Sequence, residues 1–150
     1  MAMTITMVTR DEWGARQPKQ TLPLTLPVQH VICSLTRTQP CFSLQSCKHF
    51  VKRFQKYHQA VKKRLDIPYN FLLAPDGTVF EGRGWHNYTE FKYWLPKGHT
   101  IKDAVHIALI GDYKDQNIPI PRPMLEAMKY LILFGIKKHF IDENYELHMV

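Results

Sequence analysis

The sequence predicts an α/β fold, a single domain with a mixed central β-sheet flanked by helices. Two short apolar runs, residues 31–36 and 105–110, suit central strands covered on both faces. Two longer segments carry apolar side chains at helical spacing, one ending near Arg64 and one following Pro121 and Pro123. Between them, residues 69–74 and 78–81 read as paired strands around Pro75-Asp76-Gly77, a turn sequence. The resulting order, β-α-β-β-β-α, fits a mixed sheet with helices on its faces.

The elements follow in chain order. Residues 1–7 read as a linker or cloning remnant, without the basic and apolar regions of a signal peptide. Residues 17–30 are loop-like, with Pro18, Pro23 and Pro27. The strand 31–36 leads to Cys41 and Cys47, whose spacing suits a small disulfide loop at a helix N-terminus, with Ser43 or Ser46 as cap. Closing so short a loop stabilises by about 2–2.5 kcal/mol in the chain-entropy model. Cys33 is left over between apolar neighbours and reads as a buried, inert thiol. The first helix places Phe50, Phe54, Tyr57 and Val61 at core spacing, with basic residues between them. The second uses Leu125, Met128, Ile132 and Ile136, and prolines fit its first turn.

Composition narrows the function. The chain has 150 residues, enough for one real core, and 45% of them are hydrophobic. No apolar run approaches the roughly 20 residues that span a bilayer. The net charge of +7 favours anionic partners. Much of it lies on Lys48, Lys52, Arg53, Lys56, Lys62, Lys63 and Arg64, most simply a solvated helix face. No stacking or recognition motif supports nucleic-acid binding, which would also predict a steep loss of affinity with salt.

The motifs Glu12-Trp13-Gly14-Ala15-Arg16, Tyr69-Asn70-Phe71-Leu72 and Asp76-Gly77-Thr78-Val79-Phe80-Glu81-Gly82-Arg83-Gly84-Trp85 come in this order. With Ile110-Gly111-Asp112-Tyr113, they resemble the peptidoglycan recognition protein family over essentially the whole chain. That family shares its fold with zinc-dependent N-acetylmuramoyl-L-alanine amidases. The resemblance implies a single amidase-like domain over residues 1–150. Relative to the family, about 20 C-terminal residues are missing, a loop and a short helix. It also implies a Cys41–Cys47 disulfide.

In the family's amidases, zinc is held by the first of two histidines ending the first core strand, a histidine in a Gly-His-Arg segment, and a cysteine beyond it. A tyrosine assists. The first ligand falls on Ser34, a poor zinc donor, and the tyrosine on Tyr69. His148 is near the second ligand but lacks the flanking Gly and Arg, and the cysteine lies beyond Val150. The eight histidines read as scattered single residues, and Ser34 has no evident base to make it a nucleophile. The expectation is no amidase activity, no metal and no cofactor.

The resemblance also implies a groove for glycan and stem peptide. Arg83 and Trp85 match the family; His86-Asn87 is neither of its usual recognition pairs. Glu90 and Phe91 stand where the family has a small Ala and a His, and are expected to fill the groove and repel anionic peptide. Asn87-Tyr88-Thr89 is a glycosylation sequon at the groove mouth. Tyr93, Trp94 and Leu95 form an aromatic and apolar cluster, read as a buried loop anchor or a protein-contact patch.

The sequence thus looks like a short, degenerate ectodomain of an insect long-form, membrane-anchored member. What that implies is an extracellular, non-catalytic regulator of innate immunity. It would pair with a related receptor ectodomain, probe peptidoglycan weakly or not at all, bind no nucleic acid, and meet the membrane only through a segment outside this chain. The alternative is a divergent muropeptide sensor without amidase activity.

Overall fold

A computed structural model describes residues 4–90 and 95–150. Among the described residues the sheet has six strands: β1 (Met7–Val8), β2 (Val28–Leu35), β3 (Phe71–Leu73), β4 (Val79–Glu81), β5 (Ala104–Leu109) and β6 (Ile141–Met149). Their order across the sheet is β1-β4-β3-β5-β2-β6. Only β3 and β4 pair antiparallel; β2 lies parallel between β5 and β6, with His30 opposite both Ala104 and Glu146. The helices are α1 (Arg10–Trp13), α2 (Leu44–Ala60) and α3 (Arg122–Lys137). The mixed α/β fold expected from the sequence is therefore the one observed.

Alternation along the strands sorts side chains onto two faces. Val31, Cys33, Phe71, Leu73, Val105, Ile107 and Leu109 point to the face that α3 covers with Met124, Leu131 and Ile132. Leu72, Phe80 and Ala108 point to the other face, under Trp13 of α1 and Cys47 and Val51 of α2. His30, Ile32 and Ser34 share that second face, which α2 leaves partly uncovered.

The family motifs turn out to be architectural. Thr9 caps α1 with a capping box to Glu12, and Gly14 closes it in the left-handed region at φ 77°. Trp13 donates from Nε1 to the Glu81 carbonyl at 2.8 Å, and Arg10 donates to the Gly82 carbonyl and pairs with Asp66 at 2.8 Å. Asn70 donates to the carbonyls of Gly84 and Asn87 and accepts from the His106 amide. A Cβ on Gly82 would lie 2.1 Å from the Tyr69 carbonyl oxygen, so only glycine fits that crossing. The Pro75-Asp76-Gly77 turn forms as expected, with Gly77 at φ 92° and Asp76 accepting from the Thr78 amide.

Several boundaries differ from the sequence expectation. The first core strand starts at Val28, so His30 lies within the sheet and not in a loop. The first helix stops at Ala60, and Arg64 turns back to donate its amide to the His58 carbonyl. Its core stripe is Cys47, Val51, Gln55 and Gln59, while Tyr57 and Val61 are exposed and Phe50 and Phe54 only half-buried. In α3 the buried register starts at Met124, leaving Leu125 exposed. Two strands were unforeseen. Met7 in β1 pairs with Val79, so the segment read as a linker contributes an edge strand, and β6 completes the other edge.

Candidate functional site

Ser34 is the penultimate residue of β2, on the face beside α2. Its Oγ lies 2.7 Å from Nε2 of His106, which comes from the neighbouring strand β5. His106 is buried, and its ring meets Tyr69 edge-on at 4.7 Å. Burial pushes His106 down to about 3, so it is neutral at ordinary pH, and pushes the Tyr69 phenol up to about 12. The base that sequence reasoning could not name for Ser34 is thus present. As a base it is weak, because the same desolvation that lowers its pKa opposes the imidazolium that proton transfer from Ser34 would create.

A cleft opens beside this pair, lined by Tyr69 but by neither Ser34 nor His106. Thr36, Thr38, Phe50, Arg53, Phe54, Tyr57, His58 and Tyr69 line this cleft of about 570 Å³ among the described residues. Phe54 stacks on His58 with ring centroids 4.4 Å apart, and His58 is also held below its ordinary value by burial. The Phe50 and Phe54 side chains that patterning assigned to the core therefore line this cleft. The disulfide joins Cys41 and Cys47, tying the start of α2 to the loop that leaves Ser34. Cys33 is buried on the opposite face, as expected, and burial pushes its thiol up to about 12.

The expected groove residues divide. Arg83 is buried, donating to the carbonyls of Ile67, Tyr88 and Asp66, and it pairs with Glu90. The charge on Glu90 is thereby matched by Arg83. Trp85 lies on the α3 face, packed on Phe71 at 4.6 Å and stacked on Phe140 at 5.2 Å, away from Ser34. His86 is exposed, with its ring edge-on to Phe140. Asn87 is half-buried and bridges to Pro23. Leu95 is half-buried; Phe91, Tyr93 and Trp94 lie outside the described residues.

A structural zinc ion or a catalytic one takes three or four donors drawn from His, Cys and carboxylates. Around Ser34 the donors are a neutral hydroxyl and one imidazole already hydrogen-bonded to it. Val150 donates its amide to the Cys33 carbonyl, which brings an aliphatic side chain alongside the end of β2. These residues do not fit the family's zinc. His148 pairs in register with Ile32, two residues short of Ser34, and turns to His30 instead, 2.9 Å away. The histidines are therefore not all scattered. His30 also meets His99 at 2.9 Å, and Glu146 approaches both His30 and His148. Two strands and one loop bring these four side chains together, and no spacing in the sequence signals it; only the sheet order does.

Comparison with known proteins agrees with this geometry. The profile of the family described as N-acetylmuramoyl-L-alanine amidase matches residues 24–150. Peptidoglycan recognition protein 1 of Bos indicus is 33% identical over 141 residues, covering 94% of this chain and 71% of that protein. The solved structure of Drosophila peptidoglycan recognition protein SA superposes with a TM-score of 0.88 at 29% identity, covering 97% of this chain and 80% of that one. A second solved structure, tracheal cytotoxin bound to the ectodomain complex of recognition proteins LCa and LCx, matches with a TM-score of 0.86 at 29% identity, over 97% of this chain and 84% of that one. With its motifs interlocked as described and its fold shared with these proteins, the chain belongs to the N-acetylmuramoyl-L-alanine amidase family, among the peptidoglycan recognition proteins.

Proposed function

We propose that this domain is a non-catalytic regulatory module of extracellular innate immunity, which engages the ectodomain of a related peptidoglycan receptor and damps its signalling. The observation that carries the reading is the hydrogen-bonded Ser34–His106 pair at the end of β2. By resemblance Ser34 takes the place of a zinc ligand of the family's amidases, and here its neutral hydroxyl has a buried imidazole behind it. Hydrolysis of an amide needs an activated nucleophile and a polarised carbonyl, and this pair supplies neither. Support for a receptor partner comes from the similar LCa and LCx domains, which assemble as an ectodomain complex. The disulfide supports an oxidising compartment. Tyr93, Trp94 and Leu95 are the proposed contact residues, and Asn87 the proposed glycan site.

Peptidoglycan binding is proposed to be weak or absent. The experiment is calorimetric titration of lysine- and diaminopimelate-type muropeptides into the domain, with a parallel assay for released stem peptide. No heat up to millimolar ligand, no release, and co-sedimentation with a related receptor ectodomain are the expected results. A second reading is favoured by the cleft itself: its aromatic wall stays open to about 570 Å³ among the described residues. Micromolar muropeptide binding without hydrolysis would establish that reading, a divergent sensor, in place of the first.

A further inference from the structure

The described residues contain one grouping with metal-ligand spacing, His30, Glu146 and His148. It lies four residues from Ser34 along β2, about 13 Å at roughly 3.3 Å per residue, and shares no side chain with the Ser34–His106 pair. We infer that His30, His148 and Glu146 form a binding site for a zinc-class divalent cation, oriented by His99 and separate from the family's zinc position.

The donor geometry supports this. His30 Nδ1 and His148 Nε2 are 2.9 Å apart, and the Glu146 carboxylate lies 3.9 Å from the first and 3.8 Å from the second. An ion with bonds of about 2.0–2.1 Å in a tetrahedral shell has ligand atoms roughly 3.4 Å apart. The three observed separations bracket that value, so small side-chain rotations suffice. Two imidazoles and one carboxylate leave a fourth position for water.

The surroundings match what a metal site requires. The His30 ring is 2% exposed, fixed within the sheet. Its other nitrogen, Nε2, lies 2.9 Å from Nδ1 of His99, so an Nε2–H donating there leaves the Nδ1 lone pair directed at the site. The proton that His148 shares with His30 Nδ1 moves to the far nitrogen of the His148 ring when the ion enters, and no net proton need be released. Entry is open, because Glu146 is 63% exposed and His148 21%. The ligands come from two strands far apart in sequence, with the orienting His99 on the loop before β5. A bound ion would clasp the edge strand β6 to β2.

The test is titration of Zn2+ into chelator-stripped protein by calorimetry, with Co2+ as a spectroscopic probe of coordination. One equivalent is expected to bind with micromolar or tighter affinity, to raise the melting temperature, and to give the intense visible bands of tetrahedral Co2+. Glu146→Gln and His148→Ala change partly exposed side chains, and each is expected to weaken binding at least tenfold. His99→Ala is expected to weaken it about tenfold while preserving the stoichiometry. Ser34→Ala and His49→Ala should leave affinity unchanged. Absence of saturable binding below about 100 μM, or affinity indifferent to Glu146→Gln and His148→Ala in folded protein, overturns the inference. So does loss of binding in Ser34→Ala.

Discussion

His106 is the residue whose chemistry reaches furthest. Its ordinary value near 6.5 applies in the unfolded chain, and burial holds it near 3 in the fold. Above pH 6.5 both states keep it neutral, and its contribution to stability is complete. As pH falls from 6.5 towards 3, the unfolded chain takes up a proton that the folded protein refuses, and stability declines by up to about 1.4 kcal/mol per pH unit. His30 and His58 are shifted in the same direction. Urea unfolding at pH 7, 6 and 5, above the range where carboxylates titrate, should therefore show a falling free energy. His106→Gln should flatten that slope by up to one proton. An unchanged slope in the variant, or a His106 ring resonance that titrates near pH 6.5, would refute the burial account. The same residue marks a limit of sequence reading. Ser34 could be singled out because a resemblance gave its place on a strand, and it lies on β2. His106, seventy-two residues away, became its partner only through the parallel pairing of β2 with β5.

At the scale of elements, α2 shows what patterning sees and what it misses. Its start was legible, because two cysteines six apart and a serine cap are local signals, and all are observed. Reducing the bridge, or replacing both cysteines with serine, is expected to lower stability by about 2–2.5 kcal/mol, read from the urea midpoint with the helix signal retained. Its phase was misread because two glutamines hold the buried stripe. Gln55 both accepts from the Arg16 amide and donates to the Arg16 carbonyl and to Asp66, and Gln59 donates to the carbonyls of Gln17 and Leu65. These bonds satisfy side chains that hydropathy places in solvent, and they release Phe50 and Phe54 to the cleft. β6 was missed for the opposite reason. Only Ile141 is fully buried in its nine residues, so an edge strand of Asp, Glu and Asn carries no apolar alternation. Without β6 the convergence of His30 and His148 could not be foreseen.

The whole molecule reads as a scaffold of interlocked segments. Arg10, Trp13, Asn70, Gly82 and Arg83 are spent on joining segments to one another, which is why the strongest motifs identified the family and revealed little about activity. The basic side chains Lys52, Arg53 and Lys56 are exposed on α2, as a solvated face would be, and among the described residues no helix is long and apolar enough to cross a membrane. The sheet order has one more consequence, for the newborn chain. His30 finds its neighbours at Ala104 and Glu146, so a strand one place in from the sheet edge is synthesised early and paired late. Until β5 and then β6 emerge from the ribosome, both hydrogen-bonding edges of an apolar strand stand open. Such distant pairing is expected to slow folding relative to a chain of local contacts, and it leaves that strand exposed to aggregation while it waits.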